Sequence, residues 1–251
     1  WFGLGALKPS MEARIGEVKE LLNHVGVVSQ TDDIIAAKWM KLIVNAMCLG
    51  PLAMLGLTLS DAMKVPGMRE FVLRAGSEAL AVGQARGYKI QPIFGLEEED
   101  IKDTNRLLET LFDKLAADIG PRARDCVLQD HLKGRLSEVD LINGLVAEEA
   151  AARGGGAPVN AVVTSITRRI QAGDLTPNPD NLALALQKIG KKVGLLDADV
   201  YGPSTPKMMG TEEVRPHATE RETILPIESH GLQTMSIGYL LEEDSPVIWR
   251  G

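Results

Sequence analysis

Cysteine is scarce: only Cys48 and Cys126, far apart, with no C-x-x-C pair. No disulfide framework can be built on two such residues, and the usage fits a reducing cytoplasm. No apolar run approaches the roughly 18 residues of a membrane span, which argues against a membrane partner. No charged segment followed by an apolar core opens the chain, so neither a secretory nor a transit peptide is expected. The first residue is Trp1 instead of Met, and the sequence is read as starting within a longer reading frame. Basic residues are in deficit, 27 Lys and Arg against 34 Asp and Glu, a net charge of −7. With no Lys/Arg stripe, nucleic acid is excluded as the main partner.

Glycine is plentiful but never in the order that a nucleotide loop requires. There is no G-x-G-x-x-G; Gly3 and Gly5 lack a third glycine and a following helix. Gly190-Lys191-Lys192 is followed by Val193, where a phosphate loop needs Ser or Thr. No H-E-x-x-H, no G-x-S-x-G and no metal-ligand spacing among four histidines is present. What remains is ordinary globular composition, 45% apolar and 24% charged over 251 residues, enough for one or two domains.

Two grammars divide the chain. Residues 10–173 read as helices in series. Ser10 is expected to cap a helix running to about His24. Thr31-Asp32-Asp33 starts one holding Trp39, Ile43 and Met47, which Gly50-Pro51 stops or kinks because proline lacks the amide hydrogen. Another follows Pro66, with Phe71, Val72, Ala75, Ala79 and Val82 at three- and four-residue steps, and ends at Gly87. Glu97, Glu98, Glu99 and Asp100 are expected to open the next, near its positive end. Ser137 and Asp140 form an S-x-x-D capping box for a further one. A last helix runs from Pro158 to Gly173. Beyond the proline-rich turn Thr176–Asp180 the grammar becomes α/β: an apolar helix from Asn181 to Ile189, a buried strand Val193–Asp197, and β-like runs at Thr223–Ile227, Thr234–Leu240 and Pro246–Trp249. The expected fold is a mainly α-helical domain followed by an incomplete α/β P-loop-type fragment.

Lys41 and Asn45, four apart, share one helix face opposite Trp39, Ile43 and Met47. Downstream come Cys126-Val-Leu-Gln129-Asp130, then Gly134-Arg135-Leu-Ser137-Glu138-Val-Asp140-Leu-Ile-Asn143-Gly144, then Pro158-Val159-Asn160. Taken singly these residues read blandly: a solvated Lys/Asn pair, Glu138 at a helix N-terminus, Cys126 as a small buried residue. As an ordered set over residues 1–180 they resemble the helical C-terminal domain of ketopantoate reductase. The resemblance implies NADPH-dependent reduction of 2-dehydropantoate to pantoate, toward pantothenate and coenzyme A. It makes Lys41 the general acid and Glu138 the acceptor that holds it charged, with Asn45 and Cys126 binding substrate. Cys126 stands where many members carry serine against the substrate carboxylate. The segment after Asn45, Leu49-Gly50-Pro51-Leu52, is one residue longer than the usual N-P-L. The implied partner is a small 2-keto acid, and the helical domain allows a homodimer. On this reading residues 1–8 are the tail of an NADP-binding domain, 9–175 the substrate and catalytic domain, and 176–251 a separate piece.

That last piece, from Asn181 through Asp197-Ala-Asp199-Val-Tyr201-Gly-Pro-Ser204 to Trp249-Arg250-Gly251, resembles the Mrp family of P-loop ATPases that carry iron–sulfur clusters. The resemblance implies Asp197 and Asp199 at the magnesium of bound ATP. The residues before Asn181, where the family has its phosphate loop, belong instead to the reductase-like tail, so an idle, solvated Asp197 is the competing expectation. The two resemblances meet near Asn181–Leu184, and the chain is read as a fusion of two gene fragments. The alternatives to a reductase fragment are an ATP-dependent iron–sulfur carrier fragment with a helical accessory domain, or a non-catalytic helical interaction module.

Overall fold

The computed structural model describes residues 2–93, 96, 99, 101, 104–118, 120, 123–199, 202–219 and 223–240. The chain divides into two compact units, Trp1–Asn178 and Pro179–Gly251.

In the first unit, β1 (Phe2–Leu4) and β2 (Val28–Gln30) pair in parallel, with Phe2 opposite Val28 and Leu4 opposite Gln30. Between them lie a 3-10 turn, Pro9–Arg14, and α1 (Ile15–Asn23). The expected Ser10 cap is absent: Lys8 stands at the N-cap position without a side-chain cap, and the six residues from Pro9 wind as 3-10 before α1 begins. Proline at the first position, with its fixed φ and missing donor, suits that start.

The second helix, α2 (Ile34–Ala53), is the axis of the unit. Thr31 and Asp33 start it: the Asp33 amide donates to Thr31 Oγ1 at 3.2 Å, and Asp33 Oδ1 accepts from the Ala36 amide at 2.9 Å. Gly50-Pro51 does not stop it. The helix runs on to Ala53, with Gly50, Pro51, Leu52 and Ala53 all buried, so tertiary packing overrides the lost hydrogen bond. Its most apolar stretch has a mean hydropathy of 1.3, long and apolar enough to cross a membrane, unlike the reading from sequence. More than half of that stretch is buried inside the protein, as in a core helix.

Around α2 pack α3 (Leu59–Ala62), α4 (Met68–Ala85), α6 (Cys126–Leu132), α7 (Asn143–Ala151) and α8 (Pro158–Ala172), while α5 (Thr104–Asp118) lies on α4. The core is Trp39, Ile43 and Met47 of α2, Phe71 and Val72 of α4, Leu107 and Phe112 of α5, and Val163 and Ile166 of α8. The acidic run does not open α5. Glu99 sits in a turn, Glu97, Glu98 and Asp100 lie outside the described residues, and the helix begins at Thr104.

Ser137 caps only a 3-10 turn, Glu138–Leu141, its Oγ accepting from the Val139 amide at 3.4 Å. Asp140 completes no capping box. It pairs instead with Arg168 Nε at 2.7 Å, and α7 starts separately at Asn143.

In the second unit, α9 (Asn181–Lys188) precedes a three-stranded sheet ordered β3 (Gly194–Asp197), β5 (Leu232–Ser236), β4 (Ile227–Ser229). The pair β3–β5 is parallel and β4–β5 antiparallel. A short α10 (Thr205–Met208) follows the β3 loop. The strand expected to be buried is not: β3 alternates exposed and half-buried residues, and Leu196 is 71% exposed. Ile224 forms only an isolated bridge with Ala218, and 246–249 lie outside the described residues.

Candidate active site

Where β1 leads past the start of α2, the chain must pass very close to the helix. A Cβ on Gly5 would lie 2.7 Å from the Thr31 carbonyl oxygen and 2.8 Å from Ile34 Cβ, so glycine alone fits there. Beside this crossing is a cleft of about 820 Å³, lined among the described residues by Phe2, Gly3, Ile34, Ala37, Lys38, Lys41, Ile93 and Asp118. Lys41 is exposed on α2 and faces that cleft. A second, more polar hollow of about 430 Å³ adjoins it, sharing Gly3, Ala37 and Ile93 and adding Asp32, Lys89 and Gln91.

Asn45, one turn along, is half-buried and not among the cleft residues. One further turn on, Leu49 packs against the cluster that Ala53 of α2 forms with Val127 and Leu128 of α6. The strip Lys41–Asn45–Leu49 thus leads from the cleft to α6, whose first residue is Cys126. Asp125 caps that helix, Oδ1 accepting from the Leu128 amide at 2.9 Å, while its Oδ2 is buried without a hydrogen-bond partner. Burial pushes the Asp125 carboxyl up to about 6, against the helix amides that favour its ionised form.

Cys126 is exposed, not the buried residue that its type suggests. Partial desolvation raises its thiol pKa, with the Asp125 and Glu138 carboxylates adding to the rise. Glu138 therefore lies within electrostatic reach of Cys126, but neither lines the Lys41 cleft among the described residues. The four first-unit candidates fall into two neighbourhoods, Lys41 in the cleft and Cys126, with Glu138 in its electrostatic reach, at the start of α6, with Asn45 on the strip between them.

A buried amide clamp joins these elements, and sequence reasoning assigned it no role. Asn143 Nδ2 donates to the Ala46 carbonyl and to Asn160 Oδ1, both at 2.9 Å. Asn160 Nδ2 donates to the Ala75 carbonyl at 3.0 Å and to Glu78 Oε2 at 2.9 Å. The Glu78 carboxylate also accepts the Val159 and Asn160 amides, both at 3.0 Å, so it caps α8 from α4. The signal was present: the I-N-G and P-V-N strings are the two asparagines of this clamp.

In the second unit Asp197 is held by local hydrogen bonds and is not simply solvated. Its Oδ2 accepts from the Thr205 amide and Ser236 Oγ, both at 3.0 Å, and Oδ1 from the Asp199 amide at 3.1 Å. Burial alone would raise its pKa, but these donors outweigh it and the net shift is downward. Asp199 Oδ1 accepts the Gly202 amide at 3.2 Å.

Residues 33–171 match the family described as "Ketopantoate reductase PanE/ApbA C terminal". The chain belongs to the ketopantoate reductase family. Its fold is shared with a ketopantoate reductase from Ralstonia eutropha (TM-score 0.56, 22% identity, 68% of this chain and 51% of that one). It is shared equally with D-mandelate dehydrogenase, solved with NADH and anilino(oxo)acetate (TM-score 0.59, 18% identity, 68% and 66%). A dimeric ketopantoate reductase from Staphylococcus aureus gives a TM-score of 0.55 at 17% identity, covering 69% and 55%. The chain thus spans about half to two thirds of these structures.

Residues 178–251 match a different family, "NUBPL iron-transfer P-loop NTPase". Over 71 residues the chain is 56% identical to the iron-sulfur cluster carrier protein of Haemophilus influenzae and 55% to that of Bacillus subtilis. That is 28% of this chain but only 19% and 20% of those proteins.

The donor sets decide what each unit can hold. The cleft of the first unit offers apolar Phe2, Ile34 and Ile93 beside two ammonium groups, which fits the ring end of a nicotinamide and an anionic substrate. No G-x-G-x-x-G turn for its phosphates occurs in the 251 residues. For Mg-ATP the second unit offers Asp197, whose oxygens already accept local hydrogen bonds, while no G-x-x-x-x-G-K-[ST] loop for the phosphates occurs in the 251 residues. Among the described residues, no three His, Cys, Asp or Glu converge on a metal position.

Proposed function

We propose that residues 9–175 form the substrate-binding and catalytic half of an NADPH-dependent reductase of a small 2-keto acid. Ketopantoate is the substrate proposed, on the path to pantothenate and coenzyme A. Residues 1–8 are the tail of its NADP-binding domain, and 176–251 are a partial Mrp-like segment.

The observation that carries this reading is Lys41 in an 820 Å³ cleft with an apolar wall. Bound nicotinamide supplies hydride to the substrate's carbonyl carbon. The oxygen left behind gains negative charge, and the Lys41 ammonium stabilises it and gives up a proton from Nζ. Asn45, next along α2, donates to a substrate oxygen. Glu138 and Cys126 stand off the cleft and are assigned only the far end of a substrate extended along the Lys41–Asn45–Leu49 strip, Glu138 accepting from a hydroxyl there and Cys126 contributing a weak thiol donor. Two free cysteines suit a cytoplasmic setting, and the helical unit is proposed to self-associate as a homodimer.

A thermal-shift panel tests it, because a ligand that binds only the folded state stabilises by about 2.7 kcal/mol at a hundredfold excess over Kd. Ketopantoate is expected to raise the melting temperature of the chain, and Lys41→Ala to remove the rise. A shift that survives Lys41→Ala would overturn the assignment. The 56% identity of the second unit to iron–sulfur carriers supports a second reading, an ATP-dependent carrier fragment. A shift with Mg-ATP alone, lost in Asp197→Asn, would favour it.

A further inference from the structure

Ketone reduction needs one ammonium at the reacting oxygen, yet the cleft holds two. Lys38 and Lys41 stand at i and i+3 of α2, about 5–6 Å apart at Cβ, and both line the same cavity. Neither forms an ion pair among the described residues, and Asp118 is the one acid among the described lining residues. Cys126, which the family resemblance sets against the substrate carboxylate, is in the wrong field for that task. It lies beside Asp125 and Glu138, whose negative charges reach its sulfur and would repel a second carboxylate. A 2-oxo acid carries its carboxylate on the carbon next to the carbonyl. Its two oxygen-bearing groups therefore need two adjacent cations, which one turn of α2 supplies.

We propose that Lys38 is the anion anchor of this cleft, binding the carboxylate of the 2-oxo acid while Lys41 meets its oxo oxygen. The inference rests on the reductase reading above and replaces Cys126 in the carboxylate role. An oxyanion at Lys38 has two sources, the substrate carboxylate and a phosphate of the cofactor, and the test separates them.

Calorimetric titration of the full chain would use three probes: ketopantoate, its uncharged lactone, and NADPH. Lys38→Gln should weaken ketopantoate binding about tenfold or more, the scale of a charged hydrogen bond. Lactone binding should be unchanged, which also shows that the variant is folded, and Lys38→Arg should restore most of the affinity for the acid. Lys41→Gln should weaken acid and lactone alike. Equal weakening of both probes in Lys38→Gln, or of neither, overturns the inference; so does weakening confined to NADPH, which would assign Lys38 to a phosphate. Failure of the reductase reading shows elsewhere, as wild-type chain that binds neither acid nor lactone, and the inference falls with it.

Discussion

Asp125 combines two demands that conflict. As the cap of α6 it gains from being ionised, whereas burial with Oδ2 unpartnered favours the proton. Burial wins, and the carboxyl titrates near 6 instead of near its ordinary value of about 3.9. Between those values the native state holds a proton that the unfolded chain has released. The contribution of this group to stability is therefore greatest below about pH 4 and is lost as pH rises to about 6, by something on the order of 2–3 kcal/mol. Asp125→Asn keeps the Oδ1 acceptor and cannot ionise. It should flatten the melting temperature between pH 4 and 6 and stabilise the protein at pH 7, measured by calorimetry across that range. The two thiols give a second check. Burial pushes Cys48 up to about 12, so iodoacetamide at neutral pH should label Cys126 slowly and Cys48 only after unfolding. Rapid labelling of Cys48 in native protein would contradict its buried position. At this scale the sequence was legible where spacing carries meaning, as in Thr31-Asp32-Asp33, which opens α2. It was silent where burial decides: Cys126 has the residue type of a core position but the exposure of a surface one, because it opens a short helix.

The amide clamp makes its predictions through helices. Asn143→Ala leaves Asn160 Oδ1 without its buried donor, at about 1–3 kcal/mol, and removes the bond by which α7 holds the Ala46 carbonyl of α2. Urea denaturation of the helical unit should show a loss on the order of 3 kcal/mol. Glu78→Ala should cost a similar amount, since it uncaps α8 and releases Asn160 at once. Gly50→Ala tests the same contact from α2. The added methyl would press on Asn143 Oδ1 and Val163 Cγ1, with a cost of about 1–3 kcal/mol from overpacking. The existence of the longer helices and most of their ends were readable from periodicity, glycine and proline, whereas the short α3, α6 and α10 were not read. The exceptions have physical causes. Gly50-Pro51 was expected to stop or kink α2; it does not stop it, because Gly50, Leu52 and Ala53 are buried and hold the last turn. Ser137 and Asp140 match a capping box by spacing, but Arg168 on α8 claims the aspartate. The clamp itself could not be read from local pattern, because it joins residues 97 and 85 positions apart.

At the scale of the whole chain, two units of different ancestry follow one another within a few residues. The first family match ends at 171 and the second begins at 178. The intervening turn is tied to the first unit, the Asn178 amide donating to the Met54 carbonyl at 3.1 Å. Limited proteolysis with a broad-specificity enzyme should cut between Gly173 and Asn181 and leave the helical unit resistant; uniform resistance along the chain would count against two separable units. The change of grammar at Thr176–Asp180 was visible in proline content and strand-like runs. The exposure of β3 was not, because a four-residue apolar string reads the same whether or not helices cover it. Among the described residues no strand pairs with the outer side of β3, and Leu196 stands out from it. Such a margin is a template: its unused amides and carbonyls can continue the ladder with any extended peptide, including the same strand of another molecule. Storage at high concentration should therefore turn solutions cloudy with time, and a charged replacement such as Leu196→Lys should keep them clear.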